Sequence, residues 1–338
     1  MRTIQVKVGD LQKALETYRT DTTFQLDDGV HDVLGAWAFP DWICLGDGCA
    51  ITGSGQATVR LSKDATRGVN DVPHGDRSLN PLWVGKGCRI VGVTVDGNQK
   101  AFPGWYVPSG IRSKGGQLTV DSVRITGLRG DYKPTGTAAS AIEAFGISTY
   151  EDDGGNRIED VEFDGIPADA YFSCVYIGSR EGAAKSSVSG IRSVVGRGNW
   201  FLLSGGVNIE AWDLYSSGHQ IGFYNDTEVT RAVNIAGMDA RNVVKAVSLV
   251  NKDGTDKVGV ALRDCSFGYA GPGPHYALEL WDQASNAELG NVSFADCRFT
   301  STKEFYRASV SAPNFSGARF DRCSFPDGAK VHPPRLVI

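Results

Sequence analysis

Ten side chains in this chain have the types best suited to chemistry: Trp105, Tyr150, Tyr176, Arg180, His219, Tyr224, Asp226, Lys252, Glu279 and Trp281. Carboxylates accept hydrogen bonds from hydroxyls and serve as acid or base. Arg and Lys pair with anionic groups, Arg bidentately. Aromatic rings present a flat apolar face with a polar rim in Tyr and Trp. That mixture suits a long neutral or anionic sugar chain, with rings stacked on pyranose faces and cations set against uronate carboxylates.

Two kinds of reaction divide the roles. Hydrolysis of a glycosidic bond takes two carboxylates, here Asp226 and Glu279. Elimination or epimerisation on a uronate takes a cation against its carboxylate (Arg180 or Lys252). It also takes a base for the C5 proton (Tyr224, His219 or Lys252) and an acid for the leaving oxygen (Tyr150 or Tyr176). Tyr150, Tyr176, Trp281 and Trp105 would hold substrate. Each residue also has a plain reading on a solvated strand face, where a cross-strand pair contributes about 0.2–1 kcal/mol. For His219 and His275 a turn or loop histidine is the default reading.

These residues are brought together by a repeat. Nine times between Ile90 and Phe325 the chain reads apolar, two residues, apolar, one residue, apolar. Examples are Ile90-Val93-Val95, Ile158-Val161-Phe163, Ile209-Trp212-Leu214 and Phe294-Cys297-Phe299. A recurring unit of this length specifies stacked units rather than one central core. The third residue is usually Gly, Asp or Ser, which suits a bend between short strands. A second ladder follows each first one, with inward residues read as Ile111, Ile147, Ile177, Leu203, Phe223, Leu249, Leu280 and Val310. The two ladders lengthen and shorten together, so both belong to one coil.

The predicted fold is therefore all-β: a single-stranded right-handed parallel β-helix of about 9–11 coils. Residues 1–22 are expected to cap it, with an amphipathic helix over 10–18 and Asp10 as N-cap. Residues 23–325 form the helix of strands, and 326–338 a tail ending the stack. Alternation within the second ladder turns Tyr150, Tyr176, Arg180, Tyr224, Asp226, Lys252, Glu279 and Trp281 outward on one face. Asp226 and Glu279 then stand two coils apart, roughly 10 Å at the spacing of parallel strands. An inverting glycosidase pair needs about 6.5–9.5 Å.

The amphipathic helix, the Gly-rich first coil and the stretch Gly92–Gln99 together resemble the pectate-lyase-type β-helix superfamily. That group includes polysaccharide lyases, glycosidases, epimerases and phage tailspikes. The resemblance implies a carbohydrate-active enzyme cleaving or epimerising a polysaccharide. It equally admits a non-catalytic glycan-binding module of a phage tail or cell-surface protein, as monomer or homotrimer. The hydrolase motifs of the superfamily are absent, with Ser217-Gly218-His219 a faint echo of one. No active site carries over residue by residue.

Composition narrows the partners. Net charge is −5, which gives no electrostatic footprint for nucleic acid. No segment approaches the ~18 consecutive apolar residues of a membrane span. The first residues lack an apolar signal core, so a cytoplasmic, phage-encoded or leader-stripped secreted protein is expected. The seven cysteines contain no C-x-x-C, and three occupy the same repeat position as small apolar residues. Cys44 and Cys49 offer one disulfide pairing. Glu151-Asp152-Asp153 would suit Ca²⁺, a hard cation with oxygen ligands, although solvated charge is the default. No other metal or cofactor is indicated.

Overall fold

The structure, a computed structural model, describes residues 1–37, 44–65, 79–103, 106–107, 109–130, 144–166, 172–204, 206–225, 230–250, 258–269, 276–281, 292–300, 304–308 and 318–327. Twenty-two of its described strands form one sheet, and the short strands Ala36–Trp37 and Leu79–Asn80 pair antiparallel beside it. Every pairing in that sheet is parallel, and each strand pairs with its counterpart one coil later, so the chain winds as a parallel β-helix. Val, Ile and Phe dominate the inward positions, as expected where both neighbours and the opposite wall are protein.

Twelve rungs of the first ladder stand in one row: Ile4, Phe24, Ile51, Ile90, Val120, Ile158, Val188, Ala211, Ile235, Leu262, Phe294 and Phe320. All but Ile4 are buried. Two residues later the backbone bends through the left-handed region, at Gly92, Ser122, Asp160, Gly190, Asp213, Gly237, Asp264 and Asp296 among others. Small and Asx residues tolerate that conformation. At Gly92 the need is steric as well. Its φ is +63°, and a Cβ there would stand 2.5 Å from the Gly53 carbonyl oxygen.

The bend residue corrects one frame of the repeat. Asp213 has φ +50°, and Ala211 pairs with Val188 and Ile235. The eighth rung is thus Ala211-Leu214-Ser216, not Ile209-Trp212-Leu214. Trp212 points away from the core and is 42% exposed. An indole outranks an alanine in any apolar pattern, so the pattern alone chose the wrong residue.

The second ladder is also partly re-registered. Its inward row is Leu82, Ile111, Ile147, Val175, Leu202, Phe223, Val247 and Leu278, with the Tyr306 backbone in register after it. Ile111, Ile147 and Phe223 belong to it as expected. Ile177 lies two residues along, in the row of Ser204 and Asn225, and Leu249 pairs with Leu280 in the corresponding position. Ile177 and Leu249 therefore share the interior with Phe223 but do not stack on it. Leu203 falls instead in the row of Tyr176 and Tyr224. A two-residue slip keeps a side chain on its face, so alternation fixes the face without fixing the rung. The run Phe201-Leu202-Leu203 has no alternation to read. Val310 lies outside the described residues.

At the start, the strand Arg2–Val6 is already a rung, pairing with Thr22–Leu26. The helix, Leu11–Thr17, links these two rungs along the chain and buries Leu11 and Leu15. Asp10 occupies its N-cap position without a side-chain capping bond. At the far end, Phe294 stacks on Phe320 at 4.5 Å and Phe299 on Phe325 at 5.0 Å. Cys265, Cys297 and Cys323 form the adjoining row, and all seven cysteines are free, Cys44 and Cys49 included. Among the described residues, no helix is long and apolar enough to cross a membrane. Residues 328–338 of the expected tail lie outside the described residues.

Candidate active site on the second-ladder face

The second-ladder strands do not alternate regularly along their whole length. They bend at a row containing Gly110, Gly146, Gly222 and Ala246. A Cβ on Gly146 would run into the Phe163 ring, and one on Gly222 would meet the Ala246 carbonyl oxygen at 2.7 Å. Two rows flank the bend row, and those of their side chains that are described lie on the outer side. One row is Ser109, Phe145, Ser173, Trp200, Ile221, Lys245, Tyr276 and Glu304. The other is Trp83, Arg112, Ser148, Tyr176, Leu203, Tyr224, Ser248, Glu279 and Arg307. Where their side chains are described, these rows build a cluster separate from the main core. Tyr176, Ile221 and Tyr224 form its buried centre, with Phe145 and Tyr150 packed against it.

The rings are in contact: Tyr150 lies 4.9 Å from Tyr176, and Phe145 lies 5.6 Å from it. The Arg112 guanidinium stands 4.5 Å from the Trp83 ring and 4.5 Å from the Tyr150 ring, a cation held between two π faces. Further along, Tyr224, Ser248 and Glu279 occupy consecutive rungs. The Ser248 hydroxyl donates to Glu279 Oε2 at 2.7 Å, and Lys245 Nζ reaches the same oxygen at 2.5 Å. A carboxylate in this setting is positioned, charge-compensated and hydrogen-bonded. Such a group can accept a proton or orient a hydroxyl.

The expected site residues fare differently. Tyr150, Tyr176, Tyr224 and Glu279 share the face, and Tyr176 and Tyr224 fall in one row rather than two. They point away from the core yet are largely buried, Glu279 being only 1% exposed, so the face is not an open solvated one there. Arg180 is exposed and bound to Asp153: its Nε donates at 2.8 Å. Lys86 reaches the same carboxylate at 3.1 Å, and these two cations hold Asp153 below the usual carboxylate range, Arg180 foremost.

His219 is a correction. It does not overhang the face but is fully buried, with rings of Phe201 and Phe172 beside it. Its Nε2 lies 2.9 Å from Ser193 Oγ and 3.3 Å from Cys174 Sγ. Burial pushes the Cys174 thiol up, so this trio is interior packing, not a nucleophile with its base. Ser217-Gly218-His219 is not a turn but lies within the strand Ile209–Asn225, with a pairing irregularity at Gly218, whose φ is positive. The histidine after it points in.

Asp226, Lys252 and Trp105 lie outside the described residues, as do the side chains of Trp281, Glu151 and Asp152. Trp281 is placed by its backbone alone, opposite Val250. Among the described residues, no group of three His, Cys, Asp or Glu side chains is arranged to hold a metal ion. Lys245, Ser248 and Arg112 join the site without having been singled out. The available signal for Lys245 was its place two residues before Val247, but it carries weight only once the bend is known.

No protein-family model matches the sequence, and no curated protein is similar to it. Solved structures share its architecture, among them these two. One is a mutant tailspike protein of E. coli bacteriophage HK620 in complex with a pentasaccharide, with TM-score 0.57 and 10% identity. That match covers 94% of this chain and 58% of the tailspike chain. This chain thus spans little more than half of the tailspike's length. The other is the family 28 exopolygalacturonase of Yersinia enterocolitica, with TM-score 0.54 and 10% identity, over 99% of this chain and 77% of that one. The fold is that of the right-handed parallel β-helix proteins. At this identity the likeness carries no side-chain correspondence, and the β-helix itself is what the three proteins share.

Proposed function

We propose that this β-helix protein binds a polysaccharide along the second-ladder face and cleaves it there. The observation that carries the reading is the Tyr224, Ser248, Glu279 sequence of rungs with Lys245 closing on the carboxylate. The partly buried rings of Phe145 and Tyr150 lie in earlier rungs and offer apolar faces for sugar rings. In hydrolysis, Glu279 takes a proton from water as the water oxygen bonds the anomeric carbon. The glycosidic C–O bond breaks, and its oxygen takes a proton from an acid, for which Asp226 is the candidate. The two solved neighbours, one in complex with a pentasaccharide and one an exopolygalacturonase, agree with a carbohydrate ligand.

The test is a panel of neutral and uronate polysaccharides incubated with wild type and Glu279→Gln, with products resolved by chromatography. Wild type is expected to release oligosaccharides, and the variant to lose at least a hundredfold in rate at a temperature well below its own, lowered, melting point. A second reading, a glycan-binding module without turnover, is favoured by the near-complete burial of Glu279. Binding without product in wild type would establish that reading and remove Glu279 from catalysis.

A further inference from the structure

The first-ladder side of the coil carries a feature that the site above does not use. Trp212 is the one exposed aromatic residue among those whose side chains are described. Its rung neighbours are Ser189 and Ala236, followed by Arg263 and Ala295. Small residues on either side leave the indole standing clear. Beside it lies a depression of about 560 Å³ lined by Glu210, Trp212, Asn234, Ala236, Ala261 and Arg263, among others. That volume falls within the range of about 300–1,000 Å³ typical of ligand sites. Isolated exposed apolar residues are ordinary; an indole forming the wall of a depression floored by alanine is not isolated.

We propose that this depression is a second carbohydrate site, on the other ladder from the candidate active site, and that it takes a neutral sugar. A pyranose has an apolar face for the indole and a rim of hydroxyls for the polar groups. Glu210 and Asn234 occupy adjacent rungs of the neighbouring row, and Arg263 lies two rungs from Trp212. Glu210 pairs with Lys185 at 3.0 Å and Arg263 with Asp264 at 3.5 Å. Neither ion pair uses all the acceptors of the carboxylate or the five donors of the guanidinium. A wholly apolar partner would strip water from these groups without replacing its hydrogen bonds. A polyanion would meet the Glu210 carboxylate in the lining, and the lining cation Arg263 and the nearby Lys185 are each already paired with a carboxylate. A neutral glycan satisfies both constraints. The class of ligand rests on the carbohydrate reading above, but the site does not involve Glu279.

The experiment is binding of a neutral oligosaccharide panel (gluco-, manno- and galacto-oligosaccharides) by calorimetry, beside a uronate panel. Wild type is compared with Trp212→Ala, Trp212→Phe, Ala261→Phe and Glu279→Gln. Binding of a neutral oligosaccharide is expected to weaken at least tenfold in Trp212→Ala. Trp212→Phe is expected to fall between, and Ala261→Phe, which fills the depression, to weaken comparably. Product release on the second-ladder face should be unchanged in Trp212→Ala and lost in Glu279→Gln, so failure of this site and of the catalytic reading are separable. Thermal melting of Trp212→Ala should match wild type, since the side chain is exposed. The proposal is overturned if no neutral oligosaccharide binds, or if Trp212→Ala and Ala261→Phe bind as wild type does. It is also overturned if Glu279→Gln alone abolishes binding, or if light scattering shows Trp212→Ala dissociating an oligomer, making the face a contact between copies.

Discussion

Lys245 Nζ lies 2.5 Å from Glu279 Oε2, and the two residues come from consecutive rungs on opposite sides of a strand bend. The carboxylate is 1% exposed and the lysine side chain 20% exposed. Taking one partner away leaves a charge in a poorly hydrated place, which typically costs about 3–5 kcal/mol. Lys245→Met is therefore expected to lower stability by about 3 kcal/mol in urea unfolding. The double variant Lys245→Met, Glu279→Leu should recover most of that loss, because neither charge remains. A single variant within about 0.5 kcal/mol of wild type would mean that the pair is hydrated in solution.

The left-handed bends make a sharper prediction about sequence. Asp213 sits at φ +50° and Gly92 at φ +63°. Replacing Asp213 by glycine removes a Cβ penalty of about 1 kcal/mol, and replacing it by valine adds strain of about 1–2 kcal/mol. Gly92→Ala should cost more than Asp213→Val, since the added carbon meets the Gly53 carbonyl. Denaturation midpoints should rank Asp213→Gly at or above wild type, then Asp213→Val, then Gly92→Ala. The opposite order would contradict the backbone register of this face.

The repeat was legible because each rung spends its apolar residues the same way. Asp264 and Asp296 mark bends, while Leu262, Phe294 and Phe320 mark the wall. What sequence could not supply was the rung in places where inward residues recur every second position. Val175 and Ile177 are equally buried, so only pairing reveals which one stacks on Ile147. Trp212 was misread for a related reason: hydrophobic scale stands in for direction, and here direction is set by Asp213. The candidate site was harder still. Lys245 and Glu279 meet only because Ala246 lies in a bend row, and a bend at alanine leaves no mark in a two-residue pattern. Tyr224 and Tyr176 were legible as outward residues, but their burial in a second cluster was not.

The cysteines should be silent in the native protein: six thiols are shifted up, and Cys265, shifted down by its hydrogen bond with Cys297, is buried. Burial raises the Cys88 thiol to about 12 and the Cys44 thiol to about 11. The Cys265 side chain, more than burial, lifts Cys297 to about 12. The thiolate is the reacting form, and a thiol at about 12 is ionised to roughly one part in ten thousand at pH 8. Native protein is expected to release almost no chromophore from Ellman's reagent over minutes, and seven equivalents after denaturation. Rapid labelling of two or more thiols in the folded state would show that the interior row opens.

Asp153 gives the acid limb of stability its direction. Its carboxyl is held below the ordinary value by hydrogen bonds from Arg180 first and Lys86 second. A depressed folded value means the unfolded chain binds the proton more readily. The contribution is then complete above the unfolded carboxyl value of about 3.9 and is lost as pH falls through the lower folded value. Asp296, held by Arg322, and Glu159, held by Arg157, act in the same sense. All three are solvent-facing, so added salt should shrink their effect. Unfolding followed from pH 6 to pH 2 is expected to show stability falling below about pH 4. In Arg180→Gln that fall should be shallower, because Asp153 then titrates closer to its unfolded value. At pH 6 the variant should lie slightly below wild type, and near pH 2 the two should converge. A fall equally steep in wild type and Arg180→Gln, at low salt, would show that this ion pair does not form in solution.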